Sequence, residues 1–193
     1  NWNMRWDVSV GSMTPTASRS EVLNFPAVYY YTPAAFAVHT DSTVTTLAGL
    51  NGKNICTTAA STWEMYLQGD LEMLDAPAFT YKVTPGTITS LADGSACLDD
   101  TRLGAGVRND GIIDSVPMIQ NAIDAGYPIK FLGDNAFFEP LSIATDKGND
   151  DPELDAAIAS AIAEMKKDYT LTMLSMKWFK NADGSSNDYT VAY

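Results

Sequence analysis

The sequence predicts an α/β fold with parallel-type sheets flanked by helices. From about residue 40 onward, short apolar segments typical of strands alternate with segments of helical spacing. Glycine or proline marks the boundaries of several of these segments. The clearest helical pattern follows Asp151, where Leu154, Ile158 and Ile162 recur on one face. Alternating strands and helices favour a sheet that is covered by helices on its faces.

The first predicted elements precede the alternating region. A short strand is expected over 6–10, because apolar and polar residues alternate there. Ser18 and Glu21 fit a capping box that opens a short helix. An apolar strand is then expected over 34–39.

The alternating region follows from residue 53. Ser61 and Glu64 form a second capping box, which predicts a helix from Thr62, and Gly94 suits the residue just past a helix end. The expected strands are 53–58, 79–83, a segment around Ile112 and Ile113, and 128–132. The expected helices are one from Thr62, one between Pro85 and Gly94, and one over 117–125.

The C-terminal part is predicted to return through a strand over 141–144 and to end in two helices. Asp151 is placed to cap the first of them, with Pro152 in its first turn. The second, shorter helix carries the apolar residues Leu171, Leu174 and Trp178. The polar stretch 181–193 is expected to be a flexible tail.

The charge balance limits the classes of partner. The 193 residues include 12 Lys and Arg against 24 Asp and Glu, a net charge of −12. This acidity argues against nucleic acid, because affinity for phosphates comes largely from basic side chains. No apolar run reaches the roughly 18 residues of a membrane span, and the first residues lack the pattern of a signal peptide. A single histidine does not build a metal site, and no cofactor is expected.

The stretch from Gly11 to Arg19 combines a strand end, a turn rich in hydroxyls and a helix start that bears an arginine. Such an arrangement can hold a carboxylate, because a guanidinium grips the two oxygens with paired hydrogen bonds. The alternative is structural: short Ser and Thr turns satisfy their own backbone, and arginines commonly lie on solvated surface. The pattern alone is compatible with both the carboxylate-binding and the structural interpretation.

A resemblance supports the binding interpretation. Residues 11–25, followed by Tyr29, Tyr30 and Tyr31, resemble the signature of the polar amino acid-binding proteins of ABC importers, which belong to the periplasmic solute-binding proteins. Further segments similar to that family occur in the family's order over nearly the whole chain, at 47–53, 133–144, 151–154 and 169–179.

The resemblance implies a two-lobe periplasmic-binding-protein fold of type II, a clamshell with a hinge. Lobe 1 would comprise 1–36 and 140–180, and lobe 2 would comprise 37–139, with the tail at 181–193. Compared with the family, lobe 1 would lack its N-terminal strands and helix, so a missing N-terminal segment is expected as a partner of this chain. The stretch 95–109 is longer than the corresponding loop in the family.

The resemblance also implies roles for residues in lobe 1. Arg19 would bind the carboxylate of an amino acid, assisted by the hydroxyl and amide of Thr14. Ser12 would hydrogen-bond the ammonium group. Met13 would form part of the pocket wall. Both charges of a zwitterion need partners, because burying an unpaired ion is costly.

In lobe 2, Ser61 and Thr62 occupy the place of a family loop that binds the ligand carboxylate. Ser61 also fits a helix cap. Relatives pair the ammonium with an Asp at the end of the third strand, and here Asp114 and Ser115 compete for that position; chemistry favours Asp114. Ser115 has an alternative role as a helix cap.

The chain's cysteines are Cys56 and Cys97. An even number in an exported protein permits a disulfide between them, and buried free cysteines are the alternative.

The expected function is therefore capture of a polar or charged amino acid in an interlobe cleft, for delivery to an ABC transporter permease. The protein would be periplasmic or on the cell surface, and not an enzyme. Two alternatives stay open. One is an amino acid sensor module, and the other is an enzyme similar to cyclohexadienyl dehydratases, which would need an acid such as Asp114 or Glu139.

Overall fold

The structure, a computed structural model, describes residues 2, 5–181 and 183–191. The chain forms two compact units. The first unit comprises Asn1–Thr32, Glu72–Pro77 and Phe138–Tyr193, and the second unit comprises Pro33–Leu71 and Ala78–Phe137. From the sequence, the boundaries between the lobes were expected at 36/37 and 139/140, with 72–77 in lobe 2. In the structure, 72–77 belongs to the first unit.

The elements follow one another in α/β order, as the sequence predicted. The strands are β1 Val8–Met13, β2 Leu23–His39, β3 Asn54–Thr58, β4 Thr87–Leu91, β5 Gly111–Ser115 and β6 Ile129–Asp146. The helices are α1 Ala17–Ser20, α2 Thr62–Gln68, α3 Gly94–Thr101, α4 Val116–Asp124, α5 Pro152–Lys167 and α6 Thr170–Trp178. Short 3-10 turns lie at Leu47–Leu50 and Lys147–Asn149. The long strands β2 and β6 each run from one unit into the other.

In the first unit the strand order is β1–β6–β2, and β1 is antiparallel to β6. Helix α5 begins where the sequence predicted, because the Asp151 side chain accepts hydrogen bonds from the first-turn amides of Glu153 and Leu154. Its apolar face packs on the sheet, and the small core of this unit is built around Ile143, Ile162 and Leu171.

The second unit has the strand order β2–β5–β3–β4. Strand β3 is parallel to both β4 and β5, whereas β2 is antiparallel to β5. A predicted disulfide is confirmed: Cys56 of β3 is bonded to Cys97 of α3, and both residues are buried. The core around this bond also contains Ala35, Ala37, Leu98, Ile112, Ile119, Ala122 and Ile129.

Two predicted elements of the second unit are wrong. The segment 79–83 is not a strand, and 85–94 is not a helix. Strand β4 lies at Thr87–Leu91 instead, because its β-branched residues pair in register with the whole of β3. The carboxylate of Asp93 then accepts a hydrogen bond from the Ala96 amide and starts α3, so Gly94 begins a helix rather than following one. Helix α3 thus accounts for the first part of the long stretch 95–109.

The first short helix is also capped differently from the prediction. Thr16, not Ser18, precedes α1, and its hydroxyl accepts a hydrogen bond from the Arg19 amide at 3.3 Å. Strand β1 extends to Met13 rather than ending at residue 10, because its pairing with β6 continues past an irregularity between Val10 and Met13.

The C-terminal stretch makes specific contacts that its polar composition did not indicate. Tyr189 is buried, and its amide donates a hydrogen bond to the Ser175 hydroxyl of α6 at 2.8 Å. The Tyr189 carbonyl accepts one from the Tyr31 amide of β2. Residues 182, 192 and 193 of the predicted tail lie outside the described residues.

Candidate functional site

In the first unit, the candidate site lies where β1 ends. The register of β1 against β6 shifts between Val10 and Met13, so Gly11 and Ser12 form a bulge. Bulges commonly redirect the side chains that follow them. Thr14 comes directly after the strand and is 1% exposed, whereas Ser12 is exposed. An exposed hydroxyl and a buried one thus lie two positions apart at the end of β1.

Thr14 connects the arginine to a buried acid. Its hydroxyl donates a hydrogen bond to Glu139 Oε2 at 2.8 Å, and Glu139 is 4% exposed. Its carbonyl accepts a hydrogen bond from Arg19 Nη1 at 3.0 Å. These bonds fix the turn between β1 and α1 and hold the guanidinium on the same turn as the buried hydroxyl.

Arg19 is partly buried and lies near a negative charge. Burial lowers the pKa of the Arg19 guanidinium, and the nearby negative charge of Glu139 opposes that shift. The group stays charged at neutral pH, since arginine titrates far above it. A partly desolvated guanidinium binds anions more strongly than a solvated one, because the local dielectric is lower.

A segment distant in sequence holds this turn in place. The Ala17 amide donates to the Glu72 carbonyl, and the Leu74 amide donates to the Pro15 carbonyl, both at 3.0 Å. An isolated bridge also joins Thr16 to Met73. The contribution of 72–77 to the first unit is thus to anchor the turn that bears Arg19.

Tyrosines of β2 flank the bulge. The Tyr29 hydroxyl donates to the Gly11 carbonyl at 2.9 Å, and burial raises the pKa of Tyr29 to about 12, so it remains a neutral donor. Ser12 Oγ and Tyr30 Oη lie 3.0 Å apart. Met13 is half-buried and pairs with Ser142 of β6. The predicted site residues of the first unit thus lie at the end of β1 (Ser12 and Met13), directly after it (Thr14) and in α1 (Arg19).

In the second unit, the predicted residues lie at one edge of the sheet. Because β3 and β5 are parallel neighbours, their carboxyl ends are at the same edge, and α2 and α4 begin there. This edge is where ligands commonly bind in open parallel sheets. It carries Ser61 and Thr62 after β3, and Asp114 and Ser115 at the end of β5.

Ser61 acts as a helix cap. Its hydroxyl accepts a hydrogen bond from the Glu64 amide at 3.1 Å and donates one to the Thr58 carbonyl at 2.6 Å. The carboxylate of Glu64 accepts a hydrogen bond from the Ala60 amide, and Ala60 has a positive φ of 57°. Thr62 is 3% exposed. The Ser61 hydroxyl is thus hydrogen-bonded to backbone groups of this loop, and the loop lies at the carboxyl end of β3.

Asp114 is a buried carboxylate, 3% exposed. Its Oδ1 accepts hydrogen bonds from the Ser115 amide at 2.6 Å and from the Ser115 hydroxyl at 3.2 Å. Ser115 also caps α4 by accepting the Met118 amide, the structural role that the sequence offered as an alternative. On the other side, the Asp114 carboxylate lies against Gly94.

Sequence reasoning missed two participants. Glu139 was considered only as a catalytic acid, and its bond to Thr14 joins residues 125 positions apart. The available signal was a carboxylate flanked by apolar residues over 136–141, since buried acids need partners. Gly94 was interpreted as a helix end, and nothing in the local sequence placed it against Asp114.

No group of three or more His, Cys, Asp or Glu residues suited to a metal ion occurs within 5–181 and 183–191 or at residue 2. Within the same described part of the chain, every helix is too short or too polar to cross a membrane. The candidate residues carry groups suited to polar recognition. A guanidinium and hydroxyls suit a carboxylate, and a buried carboxylate suits an ammonium group.

We expect the Thr14–Glu139 bond to stabilise the first unit. Thr14→Val keeps the shape of the side chain but leaves the buried Glu139 carboxylate without this donor, so the free energy of unfolding should fall by about 1.5–3 kcal/mol. Urea denaturation measures the change. Ser12→Ala, which removes an exposed hydroxyl at the end of β1, is the control and should cost about 0.5 kcal/mol or less. Equal stability of the parent and Thr14→Val would contradict the expectation.

Comparisons with known proteins identify the relatives of the chain. The profile of the bacterial extracellular solute-binding proteins, family 3, matches residues 2–181. The probable amino-acid-binding protein YxeM of Bacillus subtilis (strain 168) is 25% identical over 175 residues, which cover 90% of this chain and 61% of that protein. The L-cystine-binding protein TcyJ of Escherichia coli (strain K12) is 26% identical over 178 residues, covering 91% of this chain and 60% of that protein.

A solved structure supports the same grouping. An ancestral arginine-binding protein bound to arginine superposes with a TM-score of 0.72 at 26% identity, covering 92% of this chain and 73% of that one. The chain spans about six-tenths of the length of the curated relatives it matches. All three proteins are described by the amino acids they bind rather than by a reaction.

Proposed function

The chain belongs to the bacterial extracellular solute-binding proteins, family 3, and from this premise we propose that it binds a free amino acid with a polar or charged side chain. In this proposal the protein acts outside the cytoplasm and delivers its ligand to the permease of an ABC importer. It performs no chemistry on the ligand, in keeping with relatives that are named as binding proteins.

The observation that carries the proposal is the setting of Arg19. Its guanidinium is held by the Thr14 carbonyl, partly buried, and adjacent to the Thr14–Glu139 pair. We assign it to the ligand carboxylate, because a guanidinium offers paired donors that match the two carboxylate oxygens. We assign Ser12 to a hydrogen bond with the ammonium group, and Met13 to the apolar wall of the binding pocket.

We assign the second unit to the remaining groups of the zwitterion. Asp114 carries the charge that complements an ammonium group, and its Oδ1 is held in place by Ser115. The loop of Ser61 and Thr62 offers backbone amides to the carboxylate. In this proposal both units contribute groups to the same ligand. The ligand then binds best to the conformation in which all of these groups reach it, and binding shifts the protein toward that conformation.

The first unit also exposes apolar side chains that suit a further stretch of polypeptide. Trp6 is 62% exposed, and Val10 and Trp178 are each 71% exposed. Strand β1, which contains Val10, also lies at an end of the strand order, and an edge strand can pair with a further strand. We propose that a segment corresponding to the N-terminal part of lobe 1 packs on this unit.

The test is calorimetric titration of the purified protein with the standard amino acids and L-cystine. We expect at least one to bind with micromolar affinity, roughly −8 kcal/mol. The amine that lacks the α-carboxylate and the acid that lacks the α-ammonium should each bind at least about tenfold more weakly, because each loses the charge-assisted hydrogen bonds proposed to Arg19 or to Asp114. An amine that binds as tightly as its parent amino acid would contradict the proposal.

A further inference from the structure

Helix α3 begins against the carboxylate of Asp114. Its first residue, Gly94, is buried, and Asp93 caps the helix from outside it. A Cβ atom built on Gly94 would overlap Asp114 Oδ2, and would lie 3.2 Å from Asp114 Cγ and 3.5 Å from Thr58 Oγ1. No L-residue with a side chain fits here unless either the carboxylate or the helix moves.

The helix is not free to withdraw. Cys97, three residues after Gly94, is bonded to Cys56 of β3, and both cysteines are buried. Strand β3 in turn pairs with β5, with Cys56 opposite Ile112. The disulfide and the strand pairing therefore connect the start of α3 to the strand that carries Asp114, so a side chain at position 94 would displace the carboxylate rather than the helix.

We propose that Gly94 is a positioning residue for ligand binding: its missing side chain leaves the space in which the Asp114 carboxylate takes the orientation required by the ligand's ammonium group. This inference rests on the proposed function in one respect, the assignment of Asp114 to that group. Gly94 acts through Asp114 and does not contact the ligand itself. Preorganisation matters here because a charged partner contributes fully only in the correct geometry.

The first experiment is the crystal structure of Gly94→Ala. The expected result is that Asp114 adopts a different side-chain rotamer while the Cys56–Cys97 bond and the path of α3 remain. An unchanged Asp114 with a shifted α3 would overturn the proposal. This result is independent of which ligand binds, so it decides whether Gly94 sets the orientation of the Asp114 carboxylate. Absence of amino acid binding to the parent protein would refute the proposed function instead.

The second experiment measures calorimetric affinity with the tightest of the standard amino acids and L-cystine. Gly94→Ala should weaken binding at least about tenfold, the equivalent of 1.4 kcal/mol. Ser95→Ala changes the exposed neighbour on the same helix and should leave affinity unchanged. In the Asp114→Asn background, Gly94→Ala should add at most about a further twofold loss, because the two substitutions act on the same group. Parent-like affinity of Gly94→Ala, or a full additional loss in that background, would overturn the proposal.

A third variant covers the case in which Gly94→Ala does not fold. Asp114→Ala combined with Gly94→Ala removes the carboxylate that the new Cβ would overlap, so it should recover a cooperative thermal transition. A double variant as unstable as Gly94→Ala alone would show that the steric conflict lies elsewhere and would overturn the proposal.

Discussion

Replacing Arg19 by alanine is expected to lower amino acid affinity by about 10²–10⁴-fold, since it removes a pair of charge-assisted hydrogen bonds worth about 1.5–3 kcal/mol each. The size of the effect follows from the setting of the guanidinium. It is partly withdrawn from solvent, so without it a ligand carboxylate bound at the same place would be partly desolvated and would lack this partner. Arg19→Lys should lie between alanine and the parent, because lysine keeps the charge but loses the planar fork.

The fold should survive the Arg19 substitutions. The amide of residue 19 still donates to the Thr16 hydroxyl, and the Thr14–Glu139 bond does not involve the arginine. Calorimetry gives the affinity, and a thermal melt followed by circular dichroism verifies folding. Arg102→Ala is the matched control: Arg102 forms an exposed pair with Asp99, so its loss removes the same charge and should leave affinity unchanged. Parent-like affinity of a folded Arg19→Ala would remove Arg19 from the site.

Elements whose signals are local could be predicted from the sequence. Helix α5 begins at the predicted capping residue, because Asp151 and Pro152 suit a helix start whatever packs around them. Helix α2 likewise begins after Ser61. The disulfide was predictable as an option because only Cys56 and Cys97 are present. In each case the physical cause lies within a few residues or within the composition.

Elements that depend on distant pairing were predicted less well. The segment 79–83 has the apolar, aromatic composition of a strand, but its rings pack around Tyr66 instead. Strand β4 is selected by its register with β3, which the local sequence does not reveal. The lengths of β2 and β6 were underestimated for the same reason, since both continue through the residues at which the chain passes between units.

The candidate site divides in the same way. The residue types from Gly11 to Arg19 and the resemblance predicted that Arg19 and Thr14 bind the ligand carboxylate and that Ser12 binds the ammonium group. In the structure Ser12 lies in β1, Thr14 directly follows it, and Arg19 lies in α1 and donates a hydrogen bond to the Thr14 carbonyl. The groups that hold them could not be predicted. Glu139 reaches Thr14 from β6, and the anchoring amides and carbonyls of 72–77 come from a segment without regular secondary structure over most of its length. Such contacts are tertiary, so a linear pattern does not encode them visibly.

Removing the disulfide is expected to lower the free energy of unfolding of the protein by about 4 kcal/mol. The bond joins residues 41 positions apart, and closing a loop of that length restricts the unfolded chain by roughly this amount in the chain-entropy treatment. The paired substitution Cys56→Ala with Cys97→Ala tests it by urea denaturation. Both cysteines are buried in the core of the second unit, so the packing lost with their sulfur atoms lowers the free energy of unfolding further.

Reductant separates the covalent contribution from the packing one. Unfolding the parent in the presence of reductant should reproduce most of the loss, because the unfolded chain is then no longer cross-linked, whereas reductant should have no effect on the alanine pair. Native parent protein should resist reduction before it unfolds, since both cysteines are at most 1% exposed. A difference of less than about 1 kcal/mol between the oxidised and reduced parent would show that the link between β3 and α3 contributes little, and that packing alone holds α3 against the strand edge.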